Sequence, residues 1–361
     1  MTSVVLAGGG TAGHTSPMIA TAKAFEAMAP GSSVVCIGTP RGLETRVVPA
    51  AGLELALVHP VPLPRKPGLE MLKTPFKLAL STGQAVRVLR KAKADVLIGF
   101  GGYASTPAYL AAWLCRVPVV VHEANKLAGI ANKVGARFAK FVGITFAATR
   151  IQGAQLVGMP MARSITHPVV GREEARRFFG LDEHRPTLLI SGGSQGALAL
   201  NQATLDARET LLAAGIQMLH AIGPKNFTED DVVVEHASGA RYVPVEFIDD
   251  MAVAYSAADL MLGRAGAGTV METAVSGLPV IFVPLPWGNG EQGKNAAELV
   301  AAGGGILIPE TELTAERLAT TVRGLVDEPG ALERMAKICR DMYPSDAAEN
   351  LARVALDLAQ R

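Results

Sequence analysis

The chain has 361 residues, 49% of them hydrophobic and 19% charged, with a net charge of +1 at pH 7. That length exceeds the roughly 250–300 residues at which a single core stops growing, so two domains are expected, and no window of about 18 residues lacks a charge or a Pro/Gly cluster, which argues against a membrane span. Cys36, Cys115 and Cys339 are widely spaced and suit a reducing compartment rather than a disulfide framework or zinc site, and the N-terminus enters a strand without the basic start of a signal peptide.

The small net charge hides a division. Residues 1–161 carry 17 Lys and Arg against 6 Asp and Glu, or +11, while residues 162–361 carry 17 against 27, or −10. A half that basic is drawn to anionic lipid, nucleic acid or a phosphorylated acceptor.

In chain order, apolar runs alternate with helical patterns: SVVLA, a helix from about Thr15 to Ala29, SVVCI, a helix near Gly42 to Ala51, and LELAL. This alternation predicts a parallel sheet covered on both faces. The first run leads into GGGTAGH, Gly8 to His14, a glycine turn at a helix start. Pro60 to Pro67 predicts a loop. Leu69 to Lys93 is helical in period and basic, with Lys73, Lys77, Arg87 and Arg90 interleaved with Phe76 and other apolar residues. From Arg65 to Lys93 there are eight bases against one acid, Glu70, a net +7. Such a segment is either a solvated helix face or a docking surface for anionic lipid. The sheet resumes at DVLIG, and a second glycine turn, Gly101 to Ser105, opens the next helix. VPVVV then runs into His122-Glu123-Ala124-Asn125, polar residues at a strand end, where open α/β sheets place their ligands.

Gly158, Pro160 and Pro168 mark an interdomain switch, so domains of 1–161 and 162–344 are expected, with a C-terminal helix, 345–361, packing back on the first. The second half starts the plan again at Pro186 with PTLLISGGSQGALALN. Strands near Gln217 to Ala221 and Arg241 to Val245 follow, then Phe247 to Met251. DLMLG ends in a fourth glycine turn, Arg264 to Thr269, entering a helix with Glu272. PVIFVP, LPWGNGEQGKN and amphipathic helices near Thr314 to Val326 and Leu332 to Asp341 complete the domain. Four glycine turns, two per half, form the main internal symmetry.

A helix start offers unpaired N–H groups and the positive end of its dipole, and glycines let an anion approach them, so a phosphate suits these turns. Gly8, Gly10 and Gly13 formally satisfy G-x-G-x-x-G. The second strand, however, ends in Gly38-Thr39-Pro40, with no acidic residue to hold a dinucleotide's ribose diol; Arg41 could answer only the 2′-phosphate of NADP. No Asp-x-Asp pair occurs, so the metal-dependent way of holding a sugar nucleotide lacks its ligands, and neither metal nor other cofactor is expected.

Seven motifs in this order resemble the MurG family of bacterial peptidoglycan glycosyltransferases: GGGTAGH, GGYAS at Gly101, HEAN at His122, GGSQGA at Gly192, FIDDM at Phe247, GAGT with Glu272, and EQGKNA at Glu291. The resemblance covers essentially the whole chain. It implies two Rossmann-like parallel-sheet domains in the GT-B arrangement. It also implies inverting transfer of N-acetylglucosamine from UDP-N-acetylglucosamine to the muramyl 4-hydroxyl of undecaprenyl-diphosphate-linked muramyl pentapeptide (lipid I). On the donor side it assigns Arg163, Ser194, Gln195, Ile248, Ala267, Gly268, Thr269, Glu272, Gln292 and Asn295. On the acceptor side it assigns Gly10, Thr11, Gly13, Tyr103 and Asn125, with His14 or Glu123 as the base. His14 could instead cap its helix or bind the acceptor diphosphate. Two positions depart from the family pattern: Met159-Pro160-Met161-Ala162-Arg163 stands where Asn-Pro-Val-Arg is common, displacing the arginine by one residue, and Glu291 stands where a glutamine is common.

The implied partners are the two substrates, an anionic membrane surface and other cell-wall synthesis proteins, with no nucleic acid, and the implied location is peripheral on the cytoplasmic face of the cell membrane. Lys73, Phe76, Lys77, Arg87 and Arg90 are the expected membrane contacts. A UDP-sugar 2-epimerase would share the architecture but gives no reason for the basic, apolar-studded N-terminal half. A non-catalytic membrane-docked nucleotide-binding module would leave His14 and the HEAN strand end unused.

Overall fold

The computed structural model describes residues 2–61, 69–287 and 290–360, apart from the side chains of residues 69–73. Most of the loop expected over residues 60–67, with Arg65 and Lys66, and the side chain of Lys73 therefore lie outside the described residues. The chain forms two compact units, Met1–Ala162 with Pro344–Arg361, and Arg163–Tyr343.

The first unit is built on seven strands: β1 (Ser3–Ala7), β2 (Ser33–Gly38), β3 (Glu54–Leu57), β4 (Val96–Gly99), β5 (Val119–Glu123), β6 (Phe141–Ile144) and β7 (Ala154–Leu156). They lie in the order β3-β2-β1-β4-β5-β6-β7, all parallel. Every residue of β1, β4 and β5 is buried, as expected of apolar runs covered on both faces. The two-residue strand period divides them. Val5, Ala7 and Leu97 pack with Ala85 and Leu89 of the helix Leu69–Ala92 and Ala108 and Tyr109 of the helix Ser105–Cys115. Val4, Leu6 and Ile98 face the other way, onto Met18, Ala22 and Phe25 of the helix Ala12–Met28 and Leu351, Ala352 and Ala355 of the helix Ala347–Ala359. The last helix of the chain thus completes the first unit's core.

The second unit has strands β8 (Thr187–Ser191), β9 (Gln217–Ala221), β10 (Val234–Glu235), β11 (Arg241–Val245), β12 (Leu260–Gly263), β13 (Val280–Phe282) and β14 (Gly305–Leu307). Their order is β10-β11-β9-β8-β12-β13-β14, parallel except for β10, which runs antiparallel to β11 at the edge. The sequence pattern did not mark β6, β7, β10 or β14. β7 has no buried residue and β10 has two residues, so neither carries an alternation to read.

Each sheet reverses direction beside its first strand. The chain winds from β1 outward to β3 and then crosses to β4, just as it winds from β8 to β11 and crosses to β12. Ala7 pairs with Gly99, and Gly263 with Ser191, so the loops leaving β1 and β4 start as neighbours, and so do those leaving β8 and β12. Such reversals leave a crevice at the carboxyl ends of the strands, and all four glycine segments fall there. The fourth departs from the expected symmetry. Gly9, Gly10, Gly101, Gly102, Gly193 and Gly196 have positive φ, whereas Gly266 is an extended N-cap with φ −62° and Gly268 lies inside the helix Ala267–Val275. Three residues separate β12 from that helix, against four between β1 and the helix Ala12–Met28.

Leu351→Ala, at a fully buried position of the last helix, is expected to destabilise the first unit by about 2–5 kcal/mol. Calorimetry should show one of two unfolding transitions moving down, while the transition of residues 163–343, which lack this helix, stays in place.

Candidate active site

In the first unit, β1 delivers Gly8-Gly9-Gly10 to the helix Ala12–Met28. Thr11 is its extended N-cap and uses its carbonyl to accept from the backbone N–H groups of His14 and Thr15, both at 3.1 Å. His14 thus stands in the first helical turn, half-buried, with Nδ1 3.4 Å from Thr11 Oγ1. Burial lowers its pKa below 6.5, opposed by its hydrogen bond to the Gly9 carbonyl and by the charge of Glu44. The lowered pKa favours the neutral imidazole, and burial is its largest cause.

The second turn closes on this histidine. A methyl built on Gly101 would stand 3.1 Å from His14 Nε2, and one on Gly102 would overlap the Gly9 carbonyl oxygen. With φ of +93° and +84°, both positions favour glycine for backbone conformation, and Gly102 demands it for space as well. Tyr103, next in line, is exposed.

At the end of β5 the Glu123 carboxylate is buried and heavily engaged. Oε1 accepts from Asn125 N at 2.9 Å; Oε2 accepts from Gly129 N at 2.8 Å and from Asn132 Nδ2 at 2.9 Å. Asn132 in turn accepts from the buried Tyr109 hydroxyl at 2.7 Å and donates to the His122 carbonyl at 3.0 Å. His122, fully buried, is joined through Nε2 to the Gly158 carbonyl at 2.9 Å, and burial pushes its pKa down to about 4. It is a neutral tie between β5 and the segment after β7, so the strand-end polar cluster is largely a scaffold.

In the second unit, Ser194 and Gln195 stand exposed on the turn after β8. Gly196 N donates to Gly193 O at 2.9 Å, and Asn226 Nδ2 donates to Gln195 O at 3.3 Å. After β12, Arg264 is buried, donates to the Val283 carbonyl at 3.1 Å and pairs with Glu310 at 2.5 Å, fastening the ends of β12 and β13 together. Ala267, Gly268 and Thr269 form the first turn of the next helix. Beneath them Glu272 Oε2 accepts from the Tyr255 hydroxyl at 2.9 Å, and Oε1 lies 3.7 Å from where a Gly268 Cβ would stand. Burial raises the pKa of Glu272, opposed by the Tyr255 hydrogen bond, and burial also lifts the Tyr255 phenol well above its ordinary value.

Tyr255 lies on the helix Met251–Ala257, whose N-cap Asp250 accepts from Ala252 N at 3.0 Å. The FIDDM segment, with Ile248 buried between exposed Phe247 and Asp249, is thereby coupled to Glu272. On the helix Glu291–Ala301, Gln292 Oε1 accepts from Leu285 N at 3.0 Å, while Asn295 is buried. Arg163 is exposed at the start of the unit.

The expected membrane segment presents Phe76, 79% exposed, and Leu80, 57% exposed, one helical turn apart, with Arg87 and Arg90 exposed and Lys77 partly covered. The adjoining helix adds Trp113, 63% exposed, and Leu114, which sequence reading passed over. Their signal was a pair of large apolar residues on a helix already buried through Ala108, Tyr109, Ala111 and Ala112. Glu44, Asn132 and Tyr255 were also missed, and no spacing rule marks them.

Residues 4–144 match the glycosyltransferase family 28 N-terminal domain, and residues 187–351 match the glycosyltransferase family 28 C-terminal domain. The UDP-N-acetylglucosamine--N-acetylmuramyl-(pentapeptide) pyrophosphoryl-undecaprenol N-acetylglucosamine transferase of Cutibacterium acnes is 50% identical over 98% of this chain and 96% of its own length. Its namesake in a Nocardioides species is 49% identical over 98% of each chain. The crystal structure of Acinetobacter baumannii MurG superposes with a TM-score of 0.78 at 29% identity, covering 99% of this chain and 100% of that one. With half its residues shared along nearly its full length, and parallel-sheet domains of the GT-B type in both halves, the chain belongs to the MurG family of family 28 glycosyltransferases.

Proposed function

We propose that the chain transfers N-acetylglucosamine from UDP-N-acetylglucosamine to the muramyl 4-hydroxyl of undecaprenyl-diphosphate-linked muramyl pentapeptide, converting lipid I to lipid II with inversion. The observation that carries this is the full-length similarity to transferases named for that reaction. Incubating UDP-N-acetylglucosamine with and without a lipid I analogue tests it: a lipid-linked disaccharide is expected. Release of UDP-N-acetylmannosamine instead would identify an epimerase, and no turnover a binding module.

In this reading His14 is the base. It takes the 4-hydroxyl proton as that oxygen attacks the anomeric carbon on the face opposite UDP, and the carbon–oxygen bond to the diphosphate breaks with its electron pair leaving on UDP. Backbone N–H groups at the helix starts after β8 and β12 meet the developing charge, with Ser194 and Gln195 beside the diphosphate or sugar and Ala267, Gly268 and Thr269 along it. Glu272 accepts from the ribose hydroxyls. Tyr255 fixes one of its oxygens and leaves the other for the nucleoside. Ile248 meets uracil through its backbone, Arg163 contacts the donor, and Gln292 and Asn295 read the sugar's hydroxyls and acetamido group. Thr11, Gly13, Tyr103 and Asn125 line the acceptor side. Gly10 contributes its shape there, since its N–H donates to Glu44. Glu123, with both oxygens engaged, positions Asn125 rather than abstracting a proton.

The lipid acceptor requires the enzyme to reach a bilayer, and no helix among the described residues is long and apolar enough to cross one. Peripheral docking at the cytoplasmic face through Phe76, Leu80, Trp113 and the surrounding bases meets that need, each Lys or Arg contributing about 1 kcal/mol near an anionic surface. Other cell-wall synthesis proteins are natural neighbours at that surface.

Three outcomes follow from these roles. His14→Ala should lower kcat by roughly 10² or more and leave UDP affinity nearly intact; in the unaltered enzyme kcat should rise as the imidazole loses its proton, with the half-rise below pH 6.5. Glu272→Ala should raise the donor KM or lower turnover at least tenfold, as loss of a charge-assisted hydrogen bond worth about 1.5–3 kcal/mol implies, and Tyr255→Phe should have a smaller effect of the same kind. Joint replacement of Lys73, Lys77, Arg87 and Arg90 by Gln should reduce co-sedimentation with phosphatidylglycerol or cardiolipin vesicles, and high salt should do the same to the unaltered protein. Undiminished binding would exclude this segment as the docking surface.

A further inference from the structure

In nucleotide-binding α/β domains the first glycine turn offers its N–H groups to a phosphate. Here that seat is filled from within. Glu44, fully buried at the start of the helix Glu44–Ala50, turns its carboxylate into the turn after β1. Oε2 accepts from Gly10 N at 2.8 Å, while Oε1 accepts from Thr39 N at 2.8 Å and from Thr39 Oγ1 at 2.9 Å. Missing side chains make the space. A methyl built on Gly9, Gly38 or Gly42 would overlap the Glu44 side chain, so glycines from the first turn, the end of β2 and the loop after it all give way to one group. The carboxylate therefore bridges the loops that follow β1 and β2, and the first of these carries His14.

We propose that Glu44 is a resident anion standing where a nucleotide phosphate would sit in the N-terminal turn, and that it acts as a positioning residue, holding that turn in the shape that presents His14. The part concerning turnover rests on the transferase reading above; the part concerning the histidine does not. The segments packed around His14 bring few other charges. The second turn brings Tyr103, and the helix Ile130–Gly135 brings neutral Asn132, backed by Glu123, and exposed Lys133. Glu44 is the ionisable group whose charge acts on the His14 imidazole, favouring its protonated form.

Three substitutions separate charge from shape. Glu44→Gln keeps the size, removes the charge and points an amide donor at an N–H. Glu44→Asp keeps the charge and falls one methylene short of spanning Gly10 and Thr39. Gly42→Ala leaves Glu44 in the chain and fills its seat. The histidine is read directly, by NMR titration of 13C-labelled imidazoles, with its signal among the 7 histidines assigned by its loss in His14→Gln.

Removing a nearby negative charge disfavours the imidazolium, so Glu44→Gln should lower the His14 titration midpoint by roughly half a unit or more, while Glu44→Asp leaves it close to that of the unaltered protein. All three variants should lose roughly tenfold or more in kcat with donor KM held within about threefold, as expected when the N-terminal turn alone is disturbed. An unshifted His14 midpoint in a folded Glu44→Gln protein, or kcat unchanged across the set, overturns the proposal. If Glu44→Gln fails to fold, Gly42→Ala and Glu44→Asp still decide it through the split between kcat and KM. If the unaltered protein makes no lipid-linked disaccharide, the transferase reading falls and the titration still judges Glu44.

Discussion

Backbone must meet backbone with no side chain between them where β1 and β4 release their loops. The Gly102 position closes on the Gly9 carbonyl, and a Cβ on Gly101 would stand 3.1 Å from the His14 ring. The sheet order makes this unavoidable: at the point of reversal two adjacent strands run in the same direction into connections that part company, and whatever follows them shares one small space. The second unit solves the same problem differently. After β8 the chain makes a left-handed glycine turn that packs on Ile222 and Gly223, and after β12 it enters a helix almost at once, held by Arg264. One architecture thus yields one half whose two turns enclose a histidine and another whose helix starts after β8 and β12 donate to no side-chain carboxylate among the described hydrogen bonds.

Much of this was legible in the sequence, and the reasons for success and failure are physical. Fully buried parallel strands such as SVVLA and VPVVV are continuous apolar runs, and helices such as Ala315–Asp327 repeat at 3.6 residues, so both announce themselves. Glycine segments at strand ends located the crevices. The partners of the site residues left no such mark. Glu44 reads as an ordinary first-turn acid of a short helix, and its inward aim depends on glycines from three separate stretches. Tyr255 reaches Glu272 across 17 positions of chain. The family pattern nominated Glu123 as a rival base. Its neighbours in space, Asn125, Gly129 and Asn132, show how its oxygens are used.

The sequence also placed a dinucleotide reading in doubt because β2 ends without an acid. The structure supplies a different reason. An acid is present six residues beyond the end of that strand, at Glu44, and it consumes the Gly10 N–H itself. The same segment that formally matches a phosphate-binding fingerprint is therefore already neutralised, while the turns of residues 163–343 carry no such internal occupant among their described hydrogen bonds. A glycine motif records that backbone is accessible; which group makes use of that access is decided by side chains far away in sequence.

The helix Ala347–Ala359 sets the order in which the molecule can be made. Residues 163–343 form an uninterrupted insert of 181 residues between the bulk of the first unit and the helix that supplies Leu351, Ala352 and Ala355 to its core. At about 5–20 residues per second, a ribosome needs roughly 10–40 s to cross that insert. During that interval the nascent first unit carries the apolar faces of Val4, Leu6 and Ile98 without their last cover, although all its strands have been synthesised. The first unit is therefore begun first and finished last, and the insert can reach its native form while its host is still waiting.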